Sequence, residues 1–188
     1  TLFFLCFGLI LFGIGEGLLV VSSTGASPWT VLAQGISLNI GFSIGSVTLI
    51  LSIAVLFLWI FLNQKPGIGT VLNALIIAMM IDLCITFVPT PESFISQISL
   101  AIIAVITVGL GGGIYLVANL GPGPRDGLMV GLQQKTNLPL ALVRVTIEIT
   151  VVSIGWYLGG VVGIGTLLFA FGIGPTVVLG LFITEKIF

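Results

Sequence analysis

Gly67-Ile68-Gly69-Thr70 recurs, residue for residue, as Gly163-Ile164-Gly165-Thr166. Working outward at the same offset of 96, Ile10–Leu83 aligns with Ile106–Leu179 without a gap, with 21 identities in 74 positions. Composition alone would give on the order of one match in ten. The identities fall where backbone geometry matters. Gly13, Gly15 and Gly17 match Gly109, Gly111 and Gly113, Gly25 and Pro28 match Gly121 and Pro124, and Leu32 and Gly35 match Leu128 and Gly131. The chain is an internal duplication.

What is duplicated is apolar. The 188 residues are 57% hydrophobic and 6% charged, with a mean hydropathy of +1.34. A soluble domain carries about 25% charged residues. Five basic and six acidic side chains cannot coat a water-soluble surface of this size. A soluble fold, a basic nucleic-acid-binding face and intrinsic disorder are excluded. There is no histidine, which removes His-bound metal sites and Ser-His or Cys-His catalysis. No metal or cofactor is expected. Cys6 and Cys84 lie in apolar stretches and read as packed small hydrophobes rather than a disulfide. The chain begins at Thr1 inside an apolar run, so a preceding segment is expected.

A membrane helix needs about 20 mostly apolar residues, and six stretches qualify. They run from Thr1 to Ser23, Phe42 to Leu62, the Gly67 motif to Val88, Phe94 to Asn119, Leu138 to Leu158, and the Gly163 motif to just before Glu185. Two further segments, Gly25–Gly41 and Gly121–Asn137, each open with Gly-x-x-Pro. About 11 residues of helix reach only about 17 Å, short of a hydrocarbon core of about 30 Å. They are expected as surface helices or re-entrant half-helices.

Three spans per copy is an odd number, so the second copy must enter from the opposite side. The expected fold is all-α: six transmembrane helices as two inverted three-helix repeats, residues 1–92 and 93–188, in a single membrane domain, each with a short half-helix. Lys65, Arg125, Lys135 and Lys186 collect on one side, and Glu92 lies on the other. The positive-inside rule makes the first side the cytoplasm, with both termini there. Trp59, Trp156 and Tyr157 near span ends read as an interfacial aromatic belt.

Gly121-Pro122-Gly123-Pro124-Arg125-Asp126-Gly127-Leu128, Pro66-Gly67-Ile68-Gly69-Thr70 and Ile81-Asp82 resemble the YczE/YyaS/YitT-type bacterial membrane proteins, closest to the YczE branch. The resemblance implies a multi-pass protein of the bacterial inner membrane, in a family largely described as uncharacterised. The first copy departs from the pattern. Gly25-Ala26-Ser27-Pro28-Trp29-Thr30 has Thr30 where the resemblance implies Asp, which speaks against a role needing an acid in both halves.

Inverted repeats place a binding site at the repeat interface near the midplane, where half-helix N-termini point backbone N–H groups at the ligand. The candidate substrate-binding residues are therefore Gly25, Pro28, Trp29 and Thr30 with their counterparts Gly121, Pro124, Arg125 and Asp126. Ser27 reads as an N-cap and Pro28 as the first helical residue. Trp29 can stack on a ligand or anchor at an interface. Arg125 offers a planar fork for an oxyanion, and with two helix starts it would make a positive pocket. Charges inside spans cost at least about 2.5–3.5 kcal/mol at the centre. Glu16 and Asp82 lack a partner within their own spans and are candidates for ion coupling; Arg144 and Glu148, spaced i, i+4, read as a structural charge pair. Gly67-Ile68-Gly69-Thr70 and its copy read as helix caps or close-packing devices, lacking the third glycine of a nucleotide loop.

The expected function is secondary transport of a small anionic or zwitterionic solute, with proton coupling if a carboxylate titrates. A fixed-pore channel and a membrane-embedded binding or accessory subunit of a larger complex are the alternatives. The lipid bilayer, a solute and a homo-oligomer or accessory protein are the expected partners. An enzyme is not expected, because Asp82 and Asp126 lack the Gly-x-Gly-Asp context of an intramembrane aspartyl protease. Sidedness is testable by cysteine labelling. With Cys6 and Cys84 replaced, an impermeant thiol reagent on intact cells should label a cysteine at Ser93 and spare those at Lys135 and Glu185; labelling at Lys135 would break the opposed orientation of the halves.

Overall fold

The computed structural model describes residues 2–187, which form eight helices and no strand. They are α1 (Leu2–Val21), α2 (Pro28–Ile40), α3 (Ile44–Phe61), α4 (Ile68–Phe87), α5 (Phe94–Val117), α6 (Pro124–Thr136), α7 (Leu140–Tyr157) and α8 (Ile164–Ile187). All but α2 and α6 are long and apolar enough to cross a membrane. These six are the expected spans, except that α8 continues through Glu185. The cytoplasmic placement expected of Thr1 and Phe188 lies outside the described residues.

The short helices are built as their sequences require. Pro28 and Pro124 stand at their starts, where a missing N–H costs nothing. They end at Gly41 (φ 75°) and Asn137 (φ 56°), whose N–H groups return to Ser37 O and Gln133 O. With 13 residues each, they reach about 20 Å. Their first turns are buried in the bundle (Pro28, Trp29 and Thr30 in α2, Pro124 and Gly127 in α6), so neither is a surface helix.

The duplication is visible in the backbone. Left-handed residues come in pairs 96 positions apart: Ser23 and Asn119, Gly25 and Gly121, Gly41 and Asn137, Asn63 and Gly159. Gly25 and Gly121 share a φ of 115°, where an L side chain is strained. The Gly-Ile-Gly-Thr motifs cross-brace the halves. Gly69 N donates to Leu120 O at 2.8 Å, and Gly165 N donates to Thr24 O at 2.9 Å. Thr70 does not cap forward. Its hydroxyl accepts from Gly67 N and donates to Pro122 O.

Helices α1 and α5 form the centre. A Cβ on Gly8 would lie 2.5 Å from Tyr115 N, and one on Gly15 would lie 2.6 Å from Val108 N. Only glycine allows this approach. Gly8 meets Tyr115 and Gly15 meets Val108, so the two helices run antiparallel. Gly13 packs on Ile77 and Gly17 on Cys84, making α1 and α4 parallel; Gly109 on Thr176 and Gly113 on Leu181 make α5 and α8 parallel. Around this centre, α2 packs on α7 and α6 on α3. Trp59 does not sit in an aromatic belt. It is 1% exposed, packs over Gly127 and donates from Nε1 to Pro124 O at 3.0 Å. Its ring fills the space a side chain on Gly127 would need, which draws it inward. Trp156 and Tyr157 are exposed.

The halves differ in one seam. Asp82 on α4 is not the unpartnered interior carboxylate the sequence suggests. Its oxygens accept from Ser43 Oγ (2.6 Å) and Gly45 N (2.7 Å) at the start of α3, where an anion meets the positive helix end. The equivalent position in α8 is Val178, exposed and without this latch, and α7 does not pack on α8 as α3 does on α4. Asp82→Ala should lower thermal stability in detergent by about 1–3 kcal/mol, the worth of hydrogen bonds to a charged acceptor. Val178→Ala should stay within about 0.5 kcal/mol of wild type.

Candidate functional site

The starts of α2 and α6 converge on Glu16, about three-quarters of the way along α1. Glu16 is fully buried. Its Oε2 accepts from Ser27 Oγ and Thr30 Oγ1, each at 2.7 Å. Ser27 occupies the N-cap position of α2, but its side chain caps nothing; Glu16 draws the hydroxyl away because a carboxylate is the stronger acceptor. The other oxygen, Oε1, faces Arg125 Nη1 at 3.9 Å and has no hydrogen-bond partner.

Arg125 lies over the ring of Trp29, its guanidinium carbon 5.5 Å from the centroid, within cation–π range. These two residues are equivalents in the duplication. Trp29 is 8% exposed, which removes it from the interfacial role, and its Nε1 is buried without a partner. Asp126, equivalent to Thr30, accepts from the Tyr115 hydroxyl at 2.7 Å.

These groups line a cavity of about 240 Å³. Glu16, Ser27, Pro28, Trp29, Arg125 and Asp126 form its polar end. Thr48 and Ser52 of α3 and their equivalents Arg144 and Glu148 of α7 also line it. Arg144 Nε donates to Glu148 Oε1 at 2.8 Å. Asn73 and Ile77 contribute from α4, and Phe169, Ile173 and Val177 from α8.

Seven of the twelve residues singled out in the sequence thus border one cavity: Glu16, Pro28, Trp29, Arg125, Asp126, Arg144 and Glu148. Thr30 stands behind it, holding Glu16. Gly25, Gly121, Pro124 and Asp82 do not line it; the glycines sit in the cross-braces between halves, and the Pro124 carbonyl holds Trp59. The pocket is not positive. Its charged side chains are Arg125 and Arg144 against Glu16, Asp126 and Glu148. Arg125 is turned inward and is no cytoplasmic anchor, which leaves Lys65, Lys135 and Lys186 to mark the sidedness. Tyr115, Asn73, Thr48 and Ser52 also line the cavity, and none of them belongs to the sequence motifs. Polar groups recurring within apolar spans, two of them equivalent to Arg144 and Glu148, were the available signal.

Residues 1–181 match a family of unknown function, DUF6198. The chain belongs to this family. It is 42% identical over 177 residues to an "Uncharacterized protein" of Haemophilus influenzae, covering 94% of this chain and 81% of that protein. It is 32% identical over 165 residues to the "Uncharacterized membrane protein YczE" of Bacillus subtilis, covering 87% and 77%. A third relative, YyaS of the same bacterium, is 27% identical over 86% of this chain and 82% of its own length. No solved structure matches. The chain is a membrane protein of the YczE-like branch.

A buried N–H without a partner costs about 1–3 kcal/mol. Trp29→Phe keeps a ring beneath Arg125 and removes that N–H. Thermal unfolding without ligand should therefore show stability equal to wild type or higher by about 1 kcal/mol. A loss above about 2 kcal/mol would mean that the indole N–H serves the fold.

Proposed function

We propose that the chain is a secondary transporter of the cytoplasmic membrane that binds a small zwitterionic solute in the cavity between Glu16, Trp29 and Arg125. One observation carries the reading: two residues that line the cavity, Glu16 and Trp29, carry an acceptor and a donor, Oε1 and Nε1, both buried and both without a hydrogen-bond partner. Buried polar groups are almost always satisfied. An ammonium satisfies Glu16 Oε1, and a carboxylate or phosphate oxygen satisfies Trp29 Nε1 and the Arg125 fork together. The 3.9 Å separation between Glu16 and Arg125 leaves each charge short of a direct hydrogen bond. A lone anion would meet three carboxylates, so the balance of charge favours a ligand bearing both signs.

The architecture supports a carrier. Antiparallel α1 and α5, and equivalent residues Trp29 and Arg125 in contact, fit two inverted repeats, residues 1–92 and 93–188, about an axis in the membrane plane. Such repeats rock against each other around a midplane site. By the positive-inside rule, Lys65, Lys135 and Lys186 support cytoplasmic termini. Glu16 is the one candidate for proton coupling that remains in the cavity, since Asp82 latches α3.

The test is ligand-dependent thermal stabilisation of the purified protein across zwitterions, dicarboxylates and polyamines, because a ligand of the native state raises apparent stability. Zwitterions should stabilise most. Arg125→Lys keeps the charge but loses the fork and should weaken binding about 10–150-fold, the loss of one charged hydrogen bond of about 1.5–3 kcal/mol. Glu16→Gln should abolish the pH dependence of uptake into proteoliposomes. Stabilisation by pure anions or pure cations alone, or equal affinity in wild type and Arg125→Lys, would refute the site.

A further inference from the structure

We infer that the cavity opens sideways into the bilayer between α7 and α8, and that its ligand is an amphiphile. The zwitterionic head would sit at Glu16, Trp29 and Arg125, and the hydrocarbon chain would leave through this mouth. The inference deepens the carrier reading above and rests on it.

The duplication supplies an internal comparison. In the first half the seam between α3 and α4 is shut: Gly45 lies directly on Ala78 and Asp82, and Asp82 bonds Ser43 and Gly45 N. In the second half the equivalents are Ala141, Gly174 and Val178. A Cβ on Gly174 would meet no atom within 4 Å, Val178 is 65% exposed, and α7 and α8 do not close on each other. The residues bordering this gap border the cavity: Arg144 and Glu148 on α7, and Phe169, Ile173, Gly174 and Val177 on α8. Both helices are spans, and Gly174 and Val177 lie near the middle of α8, so the gap faces hydrocarbon rather than either aqueous phase.

The chemistry runs in one direction across it. The inner end is lined by Glu16 and Trp29, whose Oε1 and Nε1 lack a hydrogen-bond partner. The α8 wall is Phe169, Ile173 and Val177, apolar along its length. Arg144 and Glu148 stand at the mouth, with side chains 48% and 23% exposed. They bond each other, and the exposed part of the pair offers a head group passing inward a polar contact within the hydrocarbon. The volume of about 240 Å³ falls below the range of about 300–1,000 Å³ for whole drug-sized ligands. It encloses a head group and leaves the chain outside.

The probes are glycerophosphoethanolamine and dihexanoyl-phosphatidylethanolamine, which share a zwitterionic phosphodiester head and differ in the chains. Binding is measured by thermal stabilisation of the full chain. In wild type the lipid should bind about tenfold or more tighter than glycerophosphoethanolamine, since the CH₂ groups that cross the mouth pack against Phe169, Ile173 and Val177 and each one buried adds affinity. Gly174→Phe and Gly174→Leu place a side chain in the open mouth. Each should remove that gain, so that the lipid and glycerophosphoethanolamine bind alike within the variant; residual glycerophosphoethanolamine binding certifies the fold. Equal binding of the two probes in wild type, or a chain gain that survives both substitutions, overturns the inference and leaves the carrier reading standing. So does binding of other small zwitterions when neither probe binds. If no zwitterion binds at all, both readings fall. A second measurement needs no ligand. A bimane on Val178→Cys, in protein lacking Cys6 and Cys84, should be quenched by brominated lipid. Protection from quenching, with crosslinking to a second copy, would show that a dimer covers the mouth and would overturn the lateral route.

Discussion

The glycine contact between α1 and α5 is the constraint on which the remaining geometry depends. In lipid there is no hydrophobic force between helices, so association rests on close packing and on polar groups inside the bundle. Gly8, Gly15 and Gly111 bring the two backbones to distances that any side chain would forbid. With α1 and α5 fixed antiparallel, α4 and α8 take their places along them. The starts of α2 and α6 are then brought from opposite halves to one place. Glu16, one residue after Gly15 and one before Gly17, is carried to that meeting point.

The meeting point owes its chemistry to divergence. The backbone repeats closely, down to shared φ values at Gly25 and Gly121, while the polar side chains around the cavity do not repeat. Glu16 stands opposite Gly112, Trp29 opposite Arg125, Thr30 opposite Asp126, Thr48 opposite Arg144 and Ser52 opposite Glu148. Had the halves stayed identical, like charges would face each other in a medium of low dielectric, where repulsion is strong. Breaking the identity gives one side an acid and the other a base. The same divergence acts on the seams. Asp82 holds α3 to α4, and Val178 holds nothing, so one flank is shut and the other is open.

Polar satisfaction separates the scaffold from the site. Thr70 bonds across to Pro122 O, Trp59 to Pro124 O, and Asn39 Nδ2 to Leu158 O. Each ties one half to the other, and each is complete. Among the described residues the exceptions, Glu16 Oε1 and Trp29 Nε1, belong to side chains that line the same cavity.

The spans, the duplication and the two short helices were legible in the chain itself. Their signals are local: runs of about 20 apolar residues, prolines that start helices, and glycines at a constant offset. The convergence of Trp29 and Arg125 was also accessible, because equivalent positions near an axis meet. Other features were decided only by the tertiary structure. Asp82 reads in sequence as a lone acid in a span, and only the packing of α3 shows that a helix start satisfies it. Trp59 reads as an interfacial anchor until Gly127 is seen beneath it. Glu16 and Arg125 are separated by more than a hundred positions, and no periodicity links them. Sequence pattern reports which face of a helix avoids water and where the backbone turns. It carries no record of which polar groups meet across the bundle, because that depends on how closely α1 and α5 approach and on which seam stays open. Those distances are properties of all eight helices packed together.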